Sequence, residues 1–180
     1  MSQVNVDTVN EYNSGSGVTI DGVLIKDNKL ASGTGNVLQV VAGTDASAVD
    51  ITSTSMTDTG LSASITPSST SSKILVLINH NVFTYAPGAI PFAYFEVLRD
   101  STNISGDSSY GIAFGKKAAL HPDSNGYLAG TVVFNHLDSP STTSSITYKT
   151  KAKYAGSGSG YVRTAYADQV DSIVLMEIGG

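Results

Sequence analysis

The chain has 180 residues, a formal net charge of -5 and a sequence pI near 4.9, and only 14% of it is charged, well below the roughly 25% of ordinary soluble domains. An acidic balance argues against nucleic acid as the main partner, and with no cysteine disulfides and thiolate metal sites are excluded. Serine and threonine make up roughly a quarter of the residues, and with glycine they give a strand-and-turn composition.

Residues 1–12 are polar with sparse valines and lack the apolar core of a signal peptide. No run of about 18 apolar residues follows anywhere, so membrane insertion is not expected. A hairpin comes next. Asp21-Gly22 stands between Val18-Thr19-Ile20 and Val23-Leu24-Ile25, and Asp-Gly supplies the positive φ angles of a two-residue turn. This register sets Ile20 against Val23 and Val18 against Ile25, an aliphatic stripe of four side chains. A lone hairpin is marginal in water. The stripe must therefore meet copies from neighbouring subunits or lie on the chain's own head. Ser32-Gly33-Thr34-Gly35 reads as a joint, which divides an arm and stem (1–35) from a head (36–180).

The head carries strand signals at short spacing: 37–41, 49–54, 61–66, 73–83, 92–99, 110–114, 127–137, 145–154, 161–166 and 171–178. The segment 73–83 is apolar on both faces and belongs in the middle of the packing. Pro87-Gly88, Pro91 and the stretch 120–127 read as breaks, and 84–91 as a loop mixing aromatic and apolar residues. No segment has apolar residues at helical spacing over three turns. The expected fold is all-β: an antiparallel sandwich or jelly-roll-like head on a short β stem.

Several fragments resemble, in order, a module of structural proteins of tailed bacteriophages, especially marine ones. They are GNVLQVVA at 35–42, TDTGLSASITPSSTSSKILV at 57–76, LRDST at 98–102, LDSPSTT at 137–143, TYK at 147–149 and SIVLMEI at 172–178. SGSGVTIDGVLIKD at 14–27 is similar to a linker element of phage fibre proteins. The resemblance implies a virion fibre or appendage protein, usually a β-rich homotrimer, joined to other virion proteins through its N-terminus. It implies no activity and carries no catalytic residues. A trimer would turn Val18, Ile20, Val23 and Ile25 toward a common axis. A capsid decoration protein and a carbohydrate-binding module are the alternative functions.

The chemistry-bearing residues point the same way. His80 and His136 alternate with apolar residues on strands and read as hydrogen-bonded interior histidines, with no second ligand at metal spacing. Gly156-Ser-Gly-Ser-Gly160 has neither a nucleophile elbow nor a phosphate-loop lysine, so it reads as a hairpin loop. Glu96 and Glu177 lie amid core residues and read as structural. Asp123-Ser124-Asn125-Gly126 lacks the later glutamate of a calcium loop. No enzyme and no cofactor are expected. Lys149, Lys151 and Lys153 alternate opposite Tyr148, Ala152 and Tyr154, a basic stripe for acidic saccharide or a solvated face that discourages edge pairing. Tyr85 and Ile90 are the loop candidates for contacting a host surface glycan.

Overall fold

The computed structural model describes residues 35–106, 111–115, 125–156 and 158–180, together with the backbone of three short strands before them. Those three, β1 (Val18–Ile20), β2 (Val23–Lys26) and β3 (Lys29–Leu30), form an antiparallel meander. Val18 pairs with Ile25 and Ile20 with Val23, the register that Asp-Gly demands. The side chains of this stripe, the Asp21-Gly22 turn, His121 and Asp123-Ser124 lie outside the described residues.

The head contains β4 (Val37–Asp45), β5 (Val49–Ile51), β6 (Thr57–Ile65), β7 (Lys73–Pro87), β8 (Phe92–Arg99), β9 (Thr102–Asn103), β10 (Ile112–Gly115), β11 (Asn125–Asp138), β12 (Ile146–Tyr154), β13 (Tyr161–Thr164) and β14 (Asp171–Ile178). A single 3-10 turn, Tyr166–Asp168, precedes β14. The strands make two antiparallel sheets, so the expected all-β sandwich is what forms. Sheet I runs β4-β14-β7-β13-β5, with β11 on the other side of β7, and sheet II runs β10-β8-β12-β6, with β9 on β8. Sheet I is curled. β7 is bordered by β14 over Lys73–Asn79 and by β13 over Phe83–Tyr85, while β11 follows it for 14 residues.

Several boundaries differ from the sequence reading. β7 continues through Thr84–Pro87, because β11 pairs with it as far as Asn125 opposite Pro87. Tyr85 therefore lies on a strand, and the loop shrinks to residues 88–91. That pairing also draws Asn125-Gly126 into β11, where local breakers had indicated a turn. β12 lies between β8 and β6, so its lysines protect no sheet edge.

Inward residues from both sheets form two apolar clusters. One gathers Leu61, Ile65, Ile74, Val76, Ile78, Val97, Tyr148 and Leu175. The other gathers Ile51, Val82, Phe95, Val132, Ala152 and Val162. At Gly43 the two sheets approach closely, since a Cβ there would meet the Ser62 carbonyl oxygen.

The head begins where it ends. The Gly35 N–H donates to the Gly179 carbonyl (2.7 Å) and the Gly179 N–H to the Asn36 carbonyl (2.8 Å). Gly35, assigned to the arm by composition, is thus tied to the head. Beside this pole Glu177 is buried. Its Oε1 accepts from the Ser68 N–H (2.7 Å) and hydroxyl (2.6 Å), and its Oε2 from Gln39 Nε2 (2.6 Å). Burial pushes the carboxyl up, but these hydrogen bonds outweigh it and hold it at about 2. At the same end Tyr148 and Arg99 both bond Asp138, joining the two sheets. Burial first, then the Asp138 carboxylate, push the Tyr148 hydroxyl above its usual range.

Candidate functional site

The far end of β7, about 45 Å along the strand from Lys73, carries an aromatic cluster on the outer face of sheet I. Alternation turns Phe83 and Tyr85 outward while Val82, Thr84 and Ala86 face in. β11 sets Tyr127 directly opposite Tyr85, and β13 sets Tyr161 opposite it on the other side. Phe83 stacks with Tyr166 (centroids 4.7 Å, interplanar 18°) and with Tyr127 (6.4 Å, 18°). Tyr161 tilts against both Phe83 and Tyr85 at 6.0 and 5.7 Å. Tyr127 is 63% exposed, the most open large apolar side chain among the described residues.

A charged pair borders the rings. Arg163 grips Asp50 with Nε and Nη2 at 2.5 and 2.7 Å, and its guanidinium lies 5.3 Å from the Tyr161 centroid. That hydrogen bond holds the Asp50 carboxyl below its ordinary range. The cluster offers flat apolar rings, phenol hydroxyls and a bidentate ion pair on one surface, a set suited to ring stacking and hydrogen bonding.

Tyr166 reaches Phe83 through an unusual backbone. Ala165, Ala167 and Asp168 all have left-handed φ, at 48°, 60° and 58°, which costs about 1 kcal/mol or more for each residue bearing a Cβ. The turn is held from below: the Ala165 N–H donates to Asp171 Oδ2 (3.0 Å).

Asp171 belongs to a buried polar line that crosses from sheet I to sheet II between the two apolar clusters. Its Oδ1 accepts the Asn81 N–H (2.7 Å) and its Oδ2 lies 2.6 Å from His80 Nδ1. A carboxylate only accepts, so Nδ1 carries the hydrogen and Nε2 faces the Thr150 hydroxyl at 2.9 Å. Thr150 Oγ1 lies 2.5 Å from Thr59 Oγ1. The order Asp, His, Thr has the connectivity of a hydrolase triad. All four side chains, however, are about 1% exposed, and the threonine hydroxyl already faces another threonine. In this arrangement the line is a bar between sheets that fixes the turn under Tyr166. His80 is thus the interior hydrogen-bonded histidine expected from its alternation. His136 is only half-buried, 6.0 Å from the Phe134 ring.

The remaining expected residues are dispersed. Ile90 is 38% exposed in the 88–91 turn at the aromatic end. Lys149, Lys151 and Lys153 project from the outer face of sheet II, the opposite side of the sandwich, so they and Tyr85 do not form one surface. Lys149 pairs with Asp58 at 3.3 Å and Lys153 stands 5.2 Å over the Tyr94 ring. Beside Lys149 lies a recess of about 180 Å³ lined by Asp58, Gly60, Leu61, Ser62 and Thr150, below the 300 Å³ or more of typical ligand pockets. Glu96 and Glu177 do not meet. Glu96 stands opposite Lys151 on sheet II, while Glu177 is buried against Ser68 and Gln39. The sequence reading missed Phe83, Tyr127, Tyr161 and Tyr166 as a group. Their outward parity was legible, but the long β7–β11 pairing that gathers them was not.

No protein-family model matches the chain, and no curated protein matches it. Among solved structures, a chain from the structure of infectious bursal disease virus, Gt strain, is similar at 14% identity and a TM-score of 0.28. The likeness covers 97% of this chain and 40% of that one, so the chain spans less than half of the solved chain's length.

Proposed function

We propose that the protein is a non-enzymatic virion structural component of the tailed-phage kind: a short homotrimeric fibre or appendage. It is held through its N-terminal arm and presents its aromatic end outward. The observation that carries this reading is polarity. Gly35, where the arm meets the head, is bonded to Gly179 at one pole, and the exposed Tyr127, with the half-buried Tyr85 beside it, stands at the other end of β7. Attachment and contact surfaces are thereby separated by the length of the sandwich. The ordered fragments that resemble phage structural modules support the virion role, and the aliphatic stripe of Val18, Ile20, Val23 and Ile25 supports assembly of copies around the stem. On this reading Tyr85, Tyr127 and Ile90 contact a host-surface glycan, while the lysines of sheet II form a solvated face.

Light scattering on the full chain tests assembly: a species near three times 18.6 kDa is expected, and a monomer at every concentration would overturn the trimer. Deleting residues 1–34 tests attachment. The shortened protein should fold yet be missing from purified virions; its retention on the particles would overturn the role of the arm.

A further inference from the structure

The half of sheet I nearest the attachment pole turns an aliphatic surface to solvent. Register builds it row by row. Val40, Met176, Leu75 and Leu137 stand side by side across β4, β14, β7 and β11, and Ala42, Val174, Leu77 and Asn135 form the next row. The third row, Thr44, Ser172 and Asn79, is polar and uncharged and ends in Val133. Several members of the face stand open within the described chain, Val40 at 56% exposed, Leu137 49%, Val133 62% and Leu77 36%, while Leu75, Met176 and Val174 between them are half-buried. The four strands carry no charge on this face between Lys73 and Asn81. β11 borders it as a 14-residue edge strand without lysine, arginine or proline, the residues that usually guard such an edge.

We propose that this face seats a second copy of the chain. The inference deepens the homotrimer reading and rests on it. Three arguments select a copy over other occupants. At about 4.8 Å between strands and 3.3 Å per residue, the uncharged face has a flat footprint of about 500 Å². That is most of the roughly 800 Å² each partner contributes to a standard interface. The chain's own meander, with strands of three, four and two residues, spans only about 150 Å² and cannot cover it. Finally, each copy has a net charge of -5, so copies approach best through a surface that has none. Val37 pairs with Ile178, and the arm therefore enters the head at the corner of this face.

The absence of cysteine makes the test clean. In the full chain, Val133→Cys is labelled by a maleimide and compared with Asp58→Cys on the opposite sheet, whose native side chain is 60% exposed. Burial against a copy predicts labelling at Val133 slower by roughly tenfold or more. Val40→Lys with Val133→Lys, both at exposed positions, should lower the molar mass toward 18.6 kDa with an unchanged β-type circular dichroism spectrum. An assembled wild type whose Val133→Cys reacts as fast as Asp58→Cys, and whose lysine variant keeps its mass, overturns this face and leaves the trimer standing. A dimer with Val133→Cys protected overturns the three-fold and keeps the face. A monomeric wild type overturns both.

Discussion

The two sheets share one core yet turn opposite kinds of surface outward. Sheet II presents Lys149, Lys151 and Lys153 with acidic neighbours: Asp58 pairs with Lys149, and Lys151 stands between Glu96 and Asp58 in register. Sheet I presents aliphatic rows near the pole where Gly35 meets Gly179 and an aromatic cluster at the other. Water satisfies the first surface as it stands, because ion pairs on an open sheet cost little and contribute little. The second loses free energy in proportion to the apolar area it leaves wet, about 25 cal/mol per Å². Two sheets built from the same alternation can thus differ wholly in what they require of a partner, and the difference lies in one residue of every two.

Four changes would break or sharpen that contrast. The largest acts on the bar that keeps the sheets in register. His80→Leu leaves the Asp171 carboxylate and the Thr150 hydroxyl without their shared partner in the interior. It should cost about 3 kcal/mol and lower Tm by roughly 10 °C in a chain of this size. A loss under about 1 kcal/mol would mean the bar does not hold the sandwich.

Acid acts next, at Glu177 beside the Gly35–Gly179 pole. Glu177 is held at about 2 against an ordinary value of 4.5. A depressed carboxyl stabilises the fold above its unfolded value, and that contribution fades as pH falls from about 4.5 toward 2. On the order of 2 kcal/mol should be lost over that window, read from urea midpoints at successive pH values. Glu177→Gln should be less stable at neutral pH and flatter over the same range. An identical slope in the variant would move the acid sensitivity elsewhere.

A smaller, opposite change is expected in the turn beneath the aromatic cluster. Ala167→Gly removes a Cβ from a residue at φ 60°. It should raise stability by about 0.5–1 kcal/mol, less the entropy glycine adds to the unfolded chain. A destabilised variant would show that the turn is not strained.

The smallest effect belongs to the charged face. Lys151→Ala should shift stability by no more than about 0.5 kcal/mol and leave the molar mass unaltered, whereas lysine at Val133 should disperse the assembly. If Lys151→Ala also dissociated the protein, sheet II and not sheet I would be the interface.

Much of this protein is written locally. Asp21-Gly22 fixes the register of the first hairpin, because few other dipeptides reach the required φ angles. Alternation along 92–99, 145–154 and 171–178 marks strands and their buried faces, including Glu177, because a strand exposes every second residue to the same side. Along 73–83 apolar residues on both faces indicate burial of both, whereas only the face of Ile74, Val76, Ile78 and His80 is buried and Leu75 and Leu77 lie on the outer one. What local signals did not carry is pairing. β11 holds β7 straight through Pro87, and that single long ladder turns an expected loop into strand and places Tyr127 beside Tyr85. It also leaves Leu137 in line with Leu75. The lysine stripe was legible, but its place between two strands was not. Each link of the bar from Asp171 to Thr59 joins residues 70 to 91 positions apart. Side-chain period is a property of one strand and can be read from the chain. Which strand lies beside it depends on loop closure and core packing over the whole molecule, and only the tertiary structure decides that.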